Sequence, residues 1–311
     1  MFGKGTFARK ALIGTAVAGV VGAGGGYAMY QRRLRDNRSV TAESFNAMQD
    51  AATVDAALKT LCDPTAHPLT KFFRYTTCPW CGTVKALLDY GKVPHECVEV
   101  EPMFKSELAE SAYKKVPQLR FDSPAGPGPY LVDSQLIVDT LSERMGLGRQ
   151  LRDEEVVKWR TWARGPLVRL VTLEFNRSLP AAWAGYSYID DCDTIPYVNK
   201  LFLKVVGAPV MYIVAMSVTK PRLVKAGLMK PDDDPKQRLH DEVNRFTAEA
   251  LIDPASKKPR PFHGGSKPDL VDIDTYGVLQ SVRGHRIYDT MIAETQIGAW
   301  LKAMDGATGK V

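Results

Sequence analysis

Residues 72–85, FFRYTTCPWCGTVK, join two segments of different periodicity through the sequence Cys78-Pro79-Trp80-Cys81. Residues 69–75 before them form a compact apolar and aromatic run, which is typical of a buried strand. Pro79 suits the first turn of a helix, and an apolar stripe leads from there to a glycine stop (Val84, Leu87, Leu88, Gly91). The pattern therefore predicts a strand, a turn and a helix, with the first cysteine at the start of the helix.

Five further segments extend this pattern to residue 147. In chain order they read as a second strand, a short helix, the two strands of a hairpin with a long loop, and a final helix: PHECVEVE, MFKSELAESAYKK, VPQLRF, PYLVD and SQLIVDTLSERMG. We expect Ser134 to cap the final helix and Gly146 to end it. The order β-α-β-α-β-β-α over residues 69–147 is that of a thioredoxin-like domain.

The position of Cys78 at a helix start favours a working thiol. Unpaired amide N–H groups and the positive end of the helix dipole stabilise a thiolate there, so Cys78 is the expected nucleophile. Cys81, one turn further along, can attack a mixed disulfide at Cys78 and release the product. Two alternatives stay open: a metal clip, although the chain has no second Cys-x-x-Cys and no closely spaced histidine pair, and a cysteine pair kept for packing.

Basic residues are concentrated at the N-terminus. Residues 1–38 hold seven Lys and Arg against one acid, which accounts for the whole net charge of +6. The rest of the chain is formally neutral and offers no overall attraction to phosphate backbones. We therefore do not expect nucleic-acid binding.

Residues 11–31 form an uncharged segment of 21 residues between two basic pairs. As a helix it would be about 31 Å long, close to the hydrocarbon thickness of a bilayer. We interpret it as a retained single-pass anchor; the alternative is a mitochondrial presequence that is removed, because no acid precedes Asp36. Residues 1–38 are thus predicted to be a targeting or transmembrane segment, and residues 39–68 a helical connector that ends near Asp63-Pro64.

Residues 148–311 contain long helical patterns, so we expect an all-helical domain there. The uncharged run at residues 205–219 is only 15 residues long, which favours a buried helix over a membrane span. In residues 262–277, FHGGSKPDLVDIDTYG, Asp269 is the expected N-cap of a helix and Asp272 the third residue of a capping box. The predicted fold class is an α/β domain followed by an all-helical domain.

Three motifs, YTTCPWC, KKVPQL and LVDSQLI, together resemble the glutathione site of glutaredoxins. The resemblance implies that Cys78 is the catalytic thiol. It also implies that Val116, before a cis Pro117, pairs its backbone with the cysteinyl part of glutathione. An acidic residue and a serine at a helix start, here Asp133 and Ser134, would hold the γ-glutamyl end.

The chain departs from many glutaredoxins three residues before the nucleophile, where they have a Lys and this sequence has Tyr75. A phenol can donate a hydrogen bond but brings no positive charge. An α/β domain followed by a helical one resembles the glutathione transferase superfamily. Within it, Tyr75, the VP and VDS motifs, an inserted helical region near residues 190–230 and GGSKPDLVDIDTYGVL are similar to the membrane-associated prostaglandin E synthase type 2 family.

This resemblance covers about residues 69–304 and implies both a site and an activity. The implied site residues are Tyr75, Cys78, Val116, Asp133 and Ser134. Trp80 stands where the family has a smaller aromatic residue, and we expect it to narrow the mouth of the site. The resemblance further implies glutathione binding, haem held together with glutathione, a homodimer, an N-terminal membrane segment, and isomerisation of prostaglandin H2 to prostaglandin E2.

Three classes of function are left open by the sequence. The first is a membrane-anchored, glutathione-dependent thiol enzyme, either a prostaglandin E synthase-like isomerase or a disulfide reductase. The second is a non-catalytic carrier of glutathione and haem, and the third is an accessory subunit of a mitochondrial inner-membrane assembly such as a respiratory complex. We expect a single-pass protein of the mitochondrial inner membrane, with the Golgi or another endomembrane as the alternative.

Overall fold

The computed structural model describes residues 40–61 and 69–309. The predicted targeting or transmembrane segment at residues 1–38, with the apolar run at residues 11–31, lies outside these ranges and stays a prediction.

Within the described ranges the chain forms one sheet, of strand order β2-β1-β3-β4. The strands are β1 (Leu69–Arg74), β2 (His95–Glu99), β3 (Gln118–Asp122) and β4 (Tyr130–Val132). Strand β1 pairs in parallel with β2 and antiparallel with β3, and β3 and β4 form the predicted hairpin. This topology confirms the thioredoxin-like arrangement.

Helices α1 to α4 pack around this sheet: α1 (Ala42–Ala47), α2 (Ala51–Thr60), α3 (Pro79–Tyr90) and α4 (Ser134–Arg144). Neighbouring residues of β1 point to opposite faces, so Phe72 joins the main core with α3 and α4 while Phe73 packs with Val100 and Leu108 on the other face. Pro79 lies in the first turn of α3 and Gly91 caps its end, as predicted.

The prediction of a helix in MFKSELAESAYKK is wrong, because the structure has only a short 3-10 turn there, at Ser106–Leu108. Two features replace the helix. The Glu101 carboxylate accepts hydrogen bonds from the backbone N–H groups of Met103 and Phe104, and Lys105 adopts a left-handed conformation at φ 54°. A left-handed residue cannot continue a right-handed helix, so the segment turns towards β3 instead.

The predicted cap of α4 is also wrong by one residue. Asp133, not Ser134, is the N-cap, and its Oδ1 accepts hydrogen bonds from the N–H groups of Gln135 at 2.9 Å and Leu136 at 3.2 Å. Asp133 has φ 80°, a conformation that Asp adopts more readily than most residues. Gly146 follows the end of α4 at φ 76°, as expected for a glycine stop.

The connector holds two helices instead of one. Asp50 starts α2 by accepting from the N–H groups of Ala52 and Thr53, and α2 ends at Thr60. The connector is fixed to the sheet, since the Gln49 amide bonds the backbone of Tyr130 on edge strand β4 through both its oxygen, at 2.6 Å, and its nitrogen, at 2.7 Å. A side chain thereby covers part of an exposed strand edge.

The second half of the chain is helical, which confirms the predicted fold class. Its helices are α5 (Glu154–Trp162), α6 (Val168–Phe175), α7 (Leu179–Gly185), α8 (Tyr197–Lys225), α9 (Pro235–Arg245), α10 (Leu270–Gln280), α11 (Arg286–Glu294) and α12 (Gly298–Ala307). Helix α10 is buried along its length and packs against α3. The helical domain is therefore in direct contact with the helix that begins at Cys78.

The start of α10 confirms the predicted capping box. Asp269 accepts from the backbone of Asp272, and Asp272 accepts in return from the backbone of Asp269 at 3.0 Å. The Asp272 carboxylate also accepts from the backbone N–H groups of His263 and Gly264 and from Trp300 Nε1. One buried carboxylate thus joins the loop, α10 and α12.

The expectation of a buried helix at residues 205–219 is wrong. This run is the middle of α8, a 29-residue helix whose most apolar 18-residue window has a mean hydropathy of 2.0 and is only 17% buried. Small or aliphatic residues on one face, Leu203, Ala208, Ala215 and Leu223, contact the protein. The opposite face carries exposed valines and aromatic residues, because packing on α6 and α7 takes only one side of the helix.

Candidate functional site

Cys78 lies where the strand-turn-helix pattern predicted, as the N-cap residue of α3. Its Sγ accepts a hydrogen bond from the backbone N–H of Cys81 at 3.4 Å. The sulfur takes the place that a Ser or Asp oxygen usually takes at a helix N-terminus, so the helix supplies its free N–H groups to a thiolate.

The two cysteines differ in the protonation state that their surroundings favour. The Cys81 thiol, followed by the backbone N–H groups of Cys81 and Trp80, stabilises the charged form of Cys78 and lowers the pKa of that thiol. Burial raises the pKa of Cys81, which is 1% exposed, and the neighbouring Cys78 sulfur raises it further. The arrangement therefore favours a thiolate on Cys78 hydrogen-bonded to a neutral Cys81 thiol.

Glu99 at the end of β2 holds the loop that precedes Cys78. Its carboxylate accepts hydrogen bonds from the backbone N–H of Thr76, from Thr76 Oγ1 at 3.0 Å and from Arg74 Nε at 3.1 Å. These bonds fix the turn between β1 and α3, while the negative charge of Glu99 acts to raise the pKa of Cys78. Glu99 is thus a positioning residue, and sequence reasoning gave it no role.

Tyr75, three residues before Cys78, lines the same cavity as the thiol. Burial raises the pKa of Tyr75 well above its ordinary value, and the nearby Cys78 raises it further. The phenol consequently keeps its proton at physiological pH and can act as a hydrogen-bond donor.

The cavity in front of Cys78 has a volume of about 390 Å³ and lies between the two domains. The α/β domain contributes Tyr75, Cys78, Trp80 and Val116, and α6 and α7 contribute mainly apolar and aromatic groups, among them Val171, Phe175 and Ala182. Met211 of α8 forms part of the wall. The volume is in the range of pockets that hold one small organic ligand.

Two further tyrosines in this cavity were not predicted from the sequence. Tyr186 and Tyr188 follow α7 and line the cavity with Tyr75. Burial raises the pKa of Tyr186 to about 12 and that of Tyr188 well above its ordinary value. Three neutral phenols therefore line the same cavity as Cys78. The sequence signal for the two later tyrosines was the aromatic spacing in GYSYID, which no motif singles out.

The Val116-Pro117 peptide bond is cis, as the glutaredoxin resemblance implied. Val116 lines the cavity and Pro117 is buried beneath it. No backbone group of residues 40–61 or 69–309 bonds the N–H or C=O of Val116. This backbone edge is available to pair with an extended peptide ligand.

Asp133 and Ser134 lie at the start of α4 and do not line the cavity. The Asp133 carboxylate already accepts two backbone bonds of α4 through Oδ1, and both residues are partly exposed. The structure therefore brings Tyr75, Cys78, Trp80 and Val116 together in one cavity, and it leaves the predicted roles of Asp133 and Ser134 as predictions.

Trp80 is 45% exposed at the rim of the cavity, a position in which its indole can narrow the mouth. Two lysines also reach the cavity: Lys105, whose Nζ donates to the carbonyl of Lys114 at 2.7 Å, and Lys115. Lys115 Nζ lies 5.8 Å from the centre of the Tyr113 ring. The cavity thus has a positive side, although position 75 is not a lysine.

A second, more polar cavity of about 290 Å³ lies behind Cys81, between α3 and α10. Each of its three cations is paired with an acid: Arg74 with Glu99, Lys85 with Asp89 and Arg283 with Asp305. In the described residues no group of three or more His, Cys, Asp and Glu side chains has the arrangement of a metal site.

The described features match known proteins at the level of sequence. A family described as "Glutathione S-transferase, N-terminal domain" matches residues 72–149. Prostaglandin E synthase 2 of Danio rerio is 28% identical over 334 residues, with 93% of this chain and 80% of that protein covered. The resemblance to prostaglandin E synthase 2 is confirmed. Prostaglandin E synthase 2 of Mus musculus is also 28% identical, over 279 residues, with 76% of this chain and 69% of that protein covered.

The similarity to the two prostaglandin E synthase 2 proteins extends beyond the transferase family match. That match ends at residue 149, just before α5, whereas 93% of this chain aligns with the Danio rerio protein. The helical half is therefore part of the similarity to prostaglandin E synthase 2.

Solved structures of low sequence identity are also similar to this chain. Glutaredoxin 2 from Salmonella typhimurium in complex with glutathione gives a TM-score of 0.45 at 18% identity and covers 78% of this chain and 96% of its own. A glutathione S-transferase of Ceriporiopsis subvermispora in complex with glutathione gives 0.49 at 14% identity, with coverages of 78% and 98%. The sheet topology and the family match over residues 72–149 define the fold.

Proposed function

We propose that this protein is a glutathione-binding thiol enzyme that isomerises an apolar peroxide, with prostaglandin H2 as substrate and prostaglandin E2 as product. The observation that carries the proposal is the Cys78 thiol, whose pKa is lowered by the Cys81 thiol and by the start of α3, facing a largely apolar cavity of about 390 Å³. The names of the two prostaglandin E synthase 2 relatives give the product, and the family resemblance implies prostaglandin H2 as the substrate.

Glutathione would bind beside the thiol along the free backbone edge at Val116. Its cysteinyl part would pair with the N–H and C=O of Val116, and its γ-glutamyl end would reach Asp133 and Ser134 at the start of α4. Lys115, next to Val116 and lining the cavity, is placed to bind the glycyl carboxylate. Lys115 would then supply the positive charge that many glutaredoxins obtain from a lysine at the position of Tyr75.

The isomerisation needs no external oxidant or reductant. The Cys78 thiolate attacks one peroxide oxygen, so an S–O bond forms as the O–O bond breaks, and the second oxygen leaves as an alkoxide that takes up a proton. Loss of the proton on the carbon that bears the sulfur-bound oxygen then forms a C=O bond, breaks the S–O bond and returns the thiolate. Tyr75, Tyr186 and Tyr188 can donate hydrogen bonds to the developing negative charge.

Thiol-disulfide exchange is a second candidate function, favoured by the contact between Cys78 and Cys81. The Cys78 thiolate would attack a disulfide and release one thiol, and Cys81 would then attack the Cys78 sulfur and release the other. Two glutathione molecules would reduce the resulting Cys78-Cys81 disulfide and leave as glutathione disulfide. The buried Cys81 thiol must lose its proton for this step, which its raised pKa disfavours.

Haem is the second ligand that the resemblance implies. The cavity offers it apolar walls and one thiolate, Cys78, as an iron ligand, while none of the described lining residues is a histidine. Bound there, haem would occupy the space of an apolar substrate. A Soret band that appears only when both haem and glutathione are added would support the carrier function, and its absence would exclude that function.

The location of the protein remains a proposal from residues 1–38: a single-pass protein of the mitochondrial inner membrane. Fractionation and protease protection of the full chain would distinguish this membrane from the Golgi or another endomembrane.

An accessory subunit of a respiratory complex would need no activated thiol, so the surroundings of Cys78 favour the enzyme. Co-migration with a large complex after mild detergent extraction would support the subunit, and a mass of two chains would support the homodimer.

The proposed function is tested by product analysis with the full-length protein. Prostaglandin H2 is incubated with and without glutathione, and prostaglandin E2 is measured against the mixture formed by spontaneous decay. We expect Cys78→Ser to reduce the product to the spontaneous level, and Cys97→Ser, which changes an exposed cysteine on β2, to leave it unchanged. Equal product from wild type and Cys78→Ser would exclude the thiol mechanism, and reduction of a mixed glutathione disulfide would then be measured as the second candidate.

A further inference from the structure

Helix α8 exposes an apolar face that nothing in the described chain covers. Of the 19 large apolar side chains exposed in the described ranges, ten lie on this helix and are 37% to 78% exposed: Tyr197, Val198, Leu201, Phe202, Val205, Val206, Val210, Ile213, Val214 and Val218. Scattered apolar residues are normal on a protein surface, but a continuous set on one element indicates a contact with another apolar phase.

The exposed residues form a straight stripe because two π-helical turns interrupt α8. Val198, Phe202, Val206, Val210, Val214 and Val218 recur every four residues, which in a regular α-helix would drift around the axis. The π turns at Leu203–Gly207 and Ala215–Thr219 each take up one extra residue. The 20 steps from Val198 to Val218 therefore make about five whole turns, and the stripe stays on one side over roughly 30 Å.

The charged side chains on α8 itself are all positive. Residues 194–231 contain six Lys and Arg and no acid. Arg222, Lys225 and Lys230 are exposed at the C-terminal end, where Arg222 continues the four-residue spacing of the stripe and Lys225 follows three residues later. Lys204, at the other end, pairs with Asp190. An apolar face that ends in cations has the pattern of a helix lying in a membrane surface with anionic lipids.

Crossing the bilayer is excluded by the packing of α8. Its other face is buried against the protein from Leu203 to Leu223, with α6 and α7 beneath it. The helix cannot enter the hydrocarbon end-on without drawing the folded domain in with it. It can only lie parallel to the surface, with the apolar stripe facing the lipid.

We propose that α8 is an interfacial membrane helix, which rests the helical domain on an anionic lipid surface through the stripe from Val198 to Val218. Met211, on the same helix, forms part of the wall of the cavity in front of Cys78, and Tyr186 packs against Gly207 beside it. The cavity therefore lies next to the lipid surface, and an apolar substrate can enter from the membrane. That route depends on the proposed function, whereas the membrane contact does not.

The contact is tested in the full-length protein with a fluorescent amino acid inserted at Val210. The protein is reconstituted into vesicles of phosphatidylcholine with about 30 mol% phosphatidylserine, and two quenchers are compared: a nitroxide carried by the lipid chains and aqueous iodide. The same probe at Val157, which is 43% exposed on α5, is the matched control. This readout is specific to one face, so it is independent of an N-terminal anchor.

We expect the lipid nitroxide to quench the probe at Val210 and iodide to quench the probe at Val157. Quenching of Val210 by iodide alone would overturn the proposal, because the face would then be in water. Protection of Val210 from both quenchers would also overturn it, because a second copy or another protein segment would then cover the face.

The charges are tested by a double substitution, Arg222→Gln with Lys225→Gln. One cation near an anionic surface is worth about a fivefold change in vesicle affinity, so lipid quenching at Val210 should fall strongly. The control is Arg149→Gln with Arg152→Gln, which removes two exposed cations before α5 and should leave the quenching unchanged. Equal loss in both pairs would overturn the role of the α8 cations. Activity is measured separately. Absence of activity alongside normal quenching would contradict the proposed function but not the membrane contact.

Discussion

Gly82 on α3 and Gly277 on α10 bring the backbones of these helices into direct contact. A Cβ added at Gly82 would lie 2.0 Å from the carbonyl oxygen of Gly277, and a Cβ added at Gly277 would lie 2.5 Å from the carbonyl oxygen of Gly82. Gly82 directly follows Cys81, so this close backbone contact between the two domains is one residue from the thiol pair.

Gly82→Ala should destabilise the protein, because the methyl group can be accommodated only if α3 and α10 move apart. Overpacking of a rigid contact costs about 3 kcal/mol, measured as the free energy of unfolding in denaturant. The matched control is Gly306→Ala in α12, where an added Cβ meets nothing within 4 Å and the change should be neutral or stabilising by up to about 1 kcal/mol. Equal stability changes in the two variants would contradict the close contact.

Alkylation of Cys78 should report a lowered pKa. The thiolate is the reactive form, so the rate of reaction with iodoacetamide should reach half its maximum below pH 8.5, the value of an ordinary thiol. Cys78→Ser serves as the blank for the other cysteines, and glutathione should slow the reaction if it occupies the edge at Val116. A midpoint at or above pH 8.5 would contradict the predicted thiolate.

Cys81→Ala should move that midpoint upwards. The Cys81 thiol is the largest contributor to the lowered pKa of Cys78, and alanine removes it while leaving the backbone N–H groups in place. Cys81→Ser is the matched variant, since a hydroxyl can still donate a hydrogen bond to the sulfur. The same measurement applies, and a midpoint that is identical in both variants would exclude the thiol as the donor.

Tyr75→Phe should reduce turnover roughly 100-fold while leaving the alkylation of Cys78 unchanged. The neutral phenol can donate a hydrogen bond to negative charge that develops on the substrate, and phenylalanine keeps the ring in place without the donor. Tyr197→Phe, which changes a tyrosine that is 78% exposed on α8, is the control. Product formation at the wild-type rate in Tyr75→Phe would remove Tyr75 from the mechanism.

Glu174 on α6 should make the protein less stable as pH rises towards neutrality. Its side chain is 7% exposed, its Oε2 has no hydrogen-bond partner in the described ranges, and burial raises its pKa to about 7. The folded state then binds a proton that the unfolded state has lost between about pH 4.5 and 7, so the contribution of Glu174 to stability is fully present below pH 4.5 and is lost as the pH rises through 7.

Glu174→Gln should remove the loss of stability caused by ionisation of Glu174, which amounts to about 3 kcal/mol above pH 7. Unfolding in urea at pH 5 and at pH 8 measures it: the variant should exceed wild type at pH 8 and approach it at pH 5. Glu249→Gln, which changes an exposed side chain, controls for the loss of one acid. A pH profile of Glu174→Gln that parallels wild type would show that the ionised carboxylate carries no such cost.

The thiol site could be read from the sequence because its features are local. Cys78 at the start of α3, and the Val116-Pro117 step, depend on neighbouring residues and short motifs. Tyr186 and Tyr188 could not be found in this way, because more than 100 residues separate them from Cys78 and only the packing of the helical domain places them in the cavity. The observed N-cap of α4, Asp133, lies one residue before the predicted one. Sequence rules missed it because Asp133 adopts a positive φ, which they assign mainly to glycine.

The sequence by itself determined the order of the four strands, the turn at the two cysteines and the capping box of Asp269 and Asp272, since each depends on contacts within a few residues. Tertiary structure alone decided the contact of Gly82 with Gly277 and the exposure of α8. An apolar pattern predicts a helix whether that helix faces a protein core or a lipid surface. Which of its faces is covered depends on where α6 and α7 pack, and that is a property of the whole fold.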